Sequence, residues 1–162
     1  KTAYEIPKRD WSSDVCSSDL AGFLYASNHN GHVVTVDPDA DMPGCYEVRQ
    51  HAAAPHIAGG FRGGGQLQPA WGGWLAIVHE VAPLDAAPGR AYEHRFVWFD
   101  ADMTLRRMSP LFAFQKARDI EFAAGLVFGG DMVHVSFGSR DAEAWIASIP
   151  TERVKWLLAP VS

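Results

Sequence analysis

Apolar residues come in short runs along most of the chain, and clusters of Gly, Asn, Asp and Pro separate the runs. Runs of about 4–8 residues bounded by turn formers are the signature of strands. Residues 23–27 and 32–36 read as two short strands, with the turn-rich 28–31 between them and Asp37-Pro38-Asp39 closing the pair. Residues 45–48 read as a further strand and 51–60 as a small-residue loop. Residues 65–70 predict a strand, and 74–81 a continuous apolar strand. Between them, Trp71-Gly72-Gly73 predicts a hairpin turn in which the Gly-Gly pair supplies positive φ. A loop at 82–91 follows. Residues 92–100 (YEHRFVWFD) then alternate charged and aromatic side chains, as a half-buried strand does. Residues 102–104 turn, and 105–108 read as an outer strand. Downstream, 120–128, 132–137 and 143–149 read as strands joined by turns at 129–131 and 138–141. Residues 150–158 predict a short helix, with Pro150 before its first turn, Val154, Leu157 and Leu158 as its apolar stripe and Pro160 as its stop.

The unit at 61–81 recurs. Trp71-Gly72-Gly73 aligns with Phe128-Gly129-Gly130, and Leu75-Ala76-Ile77 with Val133-His134-Val135. The spacing lies at the long end of the periods that mark propeller-like repeats. One such meander cannot bury both its faces, so neighbours must stack on it. The pattern predicts an all-β fold: a partial β-propeller of about two to three four-stranded antiparallel blades, with a short C-terminal helix. A β-sandwich, which needs no repeat, is the alternative.

Residues 1–20 stand apart. They lack the apolar centre and cleavage pattern of a signal peptide. KTAYEI and DWSSDVCSSDL are what the two constant parts of a sequencing adapter would encode in one frame, with 6–9 spanning the variable index. The expectation is an adapter-derived artefact at 1–20, a native domain at 21–162 forming the C-terminal part of a propeller, and N-terminal blades missing from the chain. Cys16 then drops out of consideration, leaving Cys45.

Composition narrows the function classes. Apolar residues make up 48% and charged residues 20%, as in ordinary globular proteins. A net charge of -5 offers no footprint for nucleic acid or an anionic membrane. No apolar run is long enough to span a bilayer. Two cysteines indicate no disulfide framework. The setting expected is cytoplasmic, with no cofactor.

The chemistry-bearing residues are few. No G-x-S-x-G elbow occurs. Arg62-Gly63-Gly64-Gly65 lacks the Gly-Lys-Ser/Thr ending of a phosphate-binding loop, and its glycines read instead as close backbone approach where inner strands converge. His29, His32 and Asp37 lack a further ligand at metal spacing, so a solvated loop is the reading there. His79 and Glu80 end an otherwise apolar strand, either as the rim of a site or as a core histidine beside a rim carboxylate. Glu93, His94 and Arg95 read as a surface ladder of charge. Glu121 follows Asp119 at the entrance of an inner strand, and Arg140-Asp141 reads as a salt-bridged turn.

The run Gly73-Trp74-Leu75-Ala76-Ile77-Val78-His79-Glu80-Val81, with 92–100, Ser109-Pro110-Leu111-Phe112, 120–128 and 133–141, resembles the C-terminal blades of the β-mannoside phosphorylase and mannosidase family, which are five-bladed propellers. It resembles even more closely the propeller modules attached to, or encoded beside, bacterial glycosyltransferases. The resemblance covers roughly 61–158. It implies that His79 falls where the phosphorylases place a phosphate-holding histidine. Asp141 falls in a turn near the central pocket, and Arg62 and Gln66 on the strand lining it. The family's general acid, an aspartate, lies in an earlier blade, and phosphate or water attacks with inversion. Two departures stand out: Glu80 where a glycine is usual, and Gly63-Gly64-Gly65 where a Gly-Pro run is favoured. The resulting expectation is a fragment of a carbohydrate-active propeller that binds a glycan, with or without phosphate, in the central pocket of the complete parent. Arg62, Gln66, His79, Glu80, Glu121 and Asp141 would touch the glycan, and no catalytic residue is assigned. The alternatives are a non-catalytic glycan-binding module associated with a glycosyltransferase, and a protein-interaction propeller.

Overall fold

The computed structural model describes residues 23–29, 32–38, 46–63, 65–83, 90–116 and 120–161, with side chains from His51 onward apart from 52, 63, 82, 83 and 90. The readings for 1–22, Cys45, the loop at 84–89 and Asp119 lie outside these residues.

The elements in chain order are β1 (Phe23–His29), β2 (His32–Pro38), β3 (Tyr46–Ala53), a 3-10 turn (His56–Gly60), β4 (Arg62–Gly63), β5 (Gln68–Ala70), β6 (Gly73–Pro83), β7 (Arg90–Phe99), β8 (Leu105–Met108), β9 (Glu121–Gly129), β10 (Met132–Ser139), β11 (Glu143–Pro150), α1 (Thr151–Leu157) and β12 (Ala159–Pro160). They form three antiparallel sheets: β1-β2-β3, then β12-β8-β7-β6-β4 with β5 also on β6, then β11-β10-β9. The fold is therefore mainly β, as expected. The expected four-stranded repeat is not uniform. The last sheet has three strands, and the chain leaves it through α1 to add β12 to the middle sheet. His29 and His32 form the closing pair of the β1–β2 hairpin.

The middle sheet is buried on both faces, which is why β6 reads as a continuous apolar run. One face packs Ala76, Val78, Val97 and Phe99 against Ala58, Phe61 and Leu67. The other packs Leu75, Ile77 and Phe96 against Ala123, Leu126, Val133 and Val135 of the last sheet. Phe96 and Val97 are neighbours, point to opposite faces, and are 1% and 0% exposed. The half-buried reading of 92–100 is corrected accordingly: its alternation of aromatic and charged residues concealed a second buried face. The surface-ladder reading of 93–95 fails for the same reason, because His94 is fully buried.

Three tight turns set the strand registers. Trp71 and Gly72 both have positive φ (51° and 77°), and Ala70 pairs with Gly73, so this hairpin is of type I′. Of the Gly-Gly pair only Gly72 lies in the turn and supplies positive φ. Gly73 is the first residue of β6, and a Cβ there would run into the carbonyl oxygen of Phe99 and the Trp98 ring. Its glycine is required by close packing rather than by φ. In the second hairpin Gly129 pairs with Met132, and positive φ falls on Gly130, the first central residue. In the third, Arg140 and Asp141 both have positive φ (55° and 54°), and the Ala142 N–H donates to the Ser139 carbonyl at 3.0 Å.

These turns also correct the alignment of the repeat. Matching the hairpins places Trp74 on Val133, Ala76 on Val135 and Val78 on Phe137, one position away from the strand alignment that the sequence suggests. A one-residue slip exchanges the two faces of a strand. In the corrected match, Leu75 and Ile77 correspond to His134 and Ser136. The former are buried under the next sheet; the latter face outward, and His134 Nδ1 lies 2.9 Å from Ser148 Oγ. β10 is thus polar on this face where β6 is apolar, while Val127 of β9 and Ile146 of β11 remain exposed beside it.

The helix forms where expected. Val154 and Leu158 are buried in the seam between the middle and last sheets, and Leu157 is half-buried. Pro150 precedes the first turn, where a missing N–H costs nothing. Pro160 ends up in β12, opposite Arg107.

Candidate functional site

One cross-strand row carries most of the polar chemistry near the seam. Arg62 of β4 pairs with His79 of β6, and His79 pairs with His94 of β7. His94 exchanges both its backbone hydrogen bonds with Phe112, at 2.7 and 2.9 Å. Its backbone therefore faces away from β6, and the two histidines form a close, non-hydrogen-bonded pair with side chains on one face.

Aromatic rings enclose this pair. His79 lies 5.3 Å from Tyr92 and 5.2 Å from Phe122, both edge-on, and 6.3 Å from His94, centroid to centroid. His94 lies 4.8 Å from Phe114 and 6.0 Å from Phe112. Phe114 stacks on Phe137 at 4.2 Å, so the box spans the middle and last sheets. The local sequence explains the construction. Phe112 and Phe114 alternate across Ala113 as the chain bridges to His94, so both rings turn toward the seam.

Burial keeps both imidazoles neutral. It lowers the His79 pKa from 6.5 to about 4, with a smaller push from the Arg62 cation. It lowers that of His94 to about 4 as well, helped by His79 and opposed by the backbone of Phe112. The Phe112 backbone is close enough to act weakly on the His94 ring, but neither ring nitrogen makes a hydrogen bond of full geometry among the described residues. His79 is 7% exposed and His94 is 0% exposed, while Arg62 is exposed at the rim. The arrangement presents a cation, a neutral imidazole able both to donate and to accept, and aromatic edges.

Not all the expected contact residues meet there. Glu80 points to the opposite face of β6, where its carboxylate accepts from Arg95 Nε at 2.5 Å, and Arg95 also donates to the Ser109 carbonyl at 3.0 Å. Glu121 is fully buried, and both its oxygens are committed: they accept from the Phe114 and Gln115 N–H groups, each at 2.8 Å. It shapes the loop that carries the aromatic box. Asp141 is exposed in the β10–β11 turn, as the second residue of left-handed conformation there. Gln66 is half-buried between β4 and β5. Next to it, a Cβ on Gly65 would touch the Gly125 Cα of β9 at 3.6 Å, so the backbones approach closely here as the glycines suggested.

A second feature lies at the β5–β6 hairpin, where Pro69, Trp71, Trp74 and Ala101 line a shallow open cleft. It contains no charged side chain. Among the described residues no group of three metal-ligating side chains converges, and no helix is long and apolar enough to cross a membrane.

Tyr92, His94, Phe112, Phe114 and Phe122 were not singled out as site residues from sequence. The signal for His94 and Phe112 is the pairing register, which brings 79, 94 and 112 into one row. No protein-family model matches the chain, and no characterised protein or solved structure does either.

Proposed function

We propose that the chain belongs to a propeller-type, carbohydrate-active protein and binds a glycan beside Arg62 and His79. The observation that carries this reading is the row formed by an exposed guanidinium, a neutral histidine and two aromatic rings at the end of an apolar strand. Sugar hydroxyls need partners that both donate and accept, and their C–H faces favour aromatic surface. A neutral His79 meets the first need, and Tyr92 and Phe122 meet the second. Arg62 also suits an anionic group such as phosphate.

Within this reading, binding is better supported than catalysis. Inverting glycosidases use two carboxyl groups about 6.5–9.5 Å apart across the scissile bond. Among the described residues Glu80 is engaged by Arg95 on the other face, and Glu121 is bound by two backbone N–H groups. Neither is available beside His79. A non-catalytic glycan-binding module, like those attached to glycosyltransferases, is therefore the form of the proposal we favour.

The test is glycan-array screening of the full chain at pH 7, followed by titration calorimetry with any ligand found. His79→Ala and Arg62→Ala should each weaken binding by roughly tenfold or more, the loss of one or two polar contacts. Unchanged binding in both variants removes this row from the site. No binding by the wild type to neutral or phosphorylated glycans removes the carbohydrate reading.

A further inference from the structure

We propose that the outer edge of β11 is a self-association site, through which two copies of this chain pair antiparallel and join their last sheets. Among the described residues β11 pairs with β10 alone, whereas its counterpart β7 is flanked by β6 and β8, and β8 in turn by β12. The outer N–H and C=O groups of β11 are thus left without a strand among the described residues.

Natural proteins blunt such edges with lysines, internal prolines, bulges or covering elements. Among the described residues β11 has none of these along its length. Its register with β10 is unbroken from Met132↔Pro150 to Ser139↔Glu143, its proline is the final residue, and α1 follows it rather than covering its edge residues Trp145 and Ile146. Both faces of the strand expose large apolar groups: Trp145 is 50% and Ile146 is 72% exposed.

The strand is compatible with itself. A two-fold axis through an antiparallel pair places each residue opposite one of the same face. With the axis at Ile146, Glu143 falls opposite Ile149, which is uncharged. Glu143 is the single charged residue of β11, so the copies do not repel along the strand. A foreign strand has no comparable charge cue to follow. A contact of this length is smaller than the roughly 1,000 Å² of a stable interface, so association sets in at tens of micromolar rather than nanomolar.

The test is sedimentation equilibrium of the full chain from low micromolar to several hundred micromolar. The expected result is a mass that rises toward that of a dimer. Ile146→Lys, at an exposed position that leaves the circular dichroism spectrum unchanged, should weaken dimerisation by at least about tenfold. Val127→Lys lies on the same outward face but on β9, at the opposite edge of the sheet, and should dimerise like the wild type. A wild type that stays monomeric throughout overturns the proposal, as does an Ile146→Lys variant that dimerises normally. Loss of the dimer in Val127→Lys to the same degree also overturns it, because face-to-face docking would then be the contact.

Discussion

Replacing His94 by phenylalanine should make the protein more stable at neutral pH and less sensitive to acid. His94 is fully buried, and neither ring nitrogen makes a hydrogen bond of full geometry among the described residues, the Phe112 backbone acting on it only weakly. An unsatisfied buried polar group costs about 1–3 kcal/mol, and phenylalanine suits a cage whose walls are already Phe112 and Phe114. A gain of about 1–2 kcal/mol at pH 7 is expected. The pH dependence follows from the two lowered pKa values. His79 and His94 titrate near 4 when folded and near 6.5 when unfolded. Between those values the unfolded chain binds protons that the folded protein refuses, so stability falls as pH falls. Each pH unit costs about 1.4 kcal/mol per histidine, so acidification from pH 7 to 4.5 costs about 5 kcal/mol for the pair. His94→Phe removes about half of that loss. Carboxylates such as Asp100, held well below the usual range by the Arg106 hydrogen bond, contribute equally to both proteins and cancel in the comparison. Urea unfolding at pH 7 and 4.5 measures all four stabilities. If the variant is less stable at pH 7, or loses as much as the wild type on acidification, His94 has a partner and the reasoning is wrong.

Two further predictions concern residues whose role differs from their sequence reading. Gly73→Ala should cost about 3 kcal/mol, because the new methyl group meets the rigid Phe99 carbonyl rather than a side chain that can move; a shift in thermal midpoint of less than one or two degrees would contradict it. Glu80→Gln should lower stability by about 1–2 kcal/mol in urea titrations through the weakened Arg95 pair, and leave glycan affinity unchanged because Glu80 faces away from His79. A clear loss of affinity at normal stability would place Glu80 in the site after all.

The strands themselves were legible because period and turn formers act locally. The strands at 105–108, 132–137 and 143–149 fall on β8, β10 and β11, each within two residues at either end. Readings failed where the deciding partner was distant in sequence. The charged residues at 93 and 95 suggested a wet face, but Ala58, Phe61 and Leu67 pack over Val97 and Phe99 on that side. Gly73 looked like a turn residue, and only the position of Phe99 shows that it is a packing residue. For the site, the sequence singled out His79 and Arg62, which do lie together. It also assigned Glu80 to the glycan contacts, although strand alternation already sets Glu80 on the face opposite His79. The aromatic box was invisible because its members come from β7, β9 and the segment after β8, and only the register joins them.

The path of the last residues has a consequence for how the chain is made. After completing the last sheet, the chain crosses back, and Ala159 and Pro160 pair with Met108 and Arg107, while the Val161 N–H donates to the Arg106 carbonyl. The middle sheet therefore receives its outermost strand only after every residue of the neighbouring sheet has been synthesised. On the ribosome, neither sheet can reach its final form before the other is available. The two are expected to mature together, once residue 161 is available, as a single cooperative unit rather than one after the other.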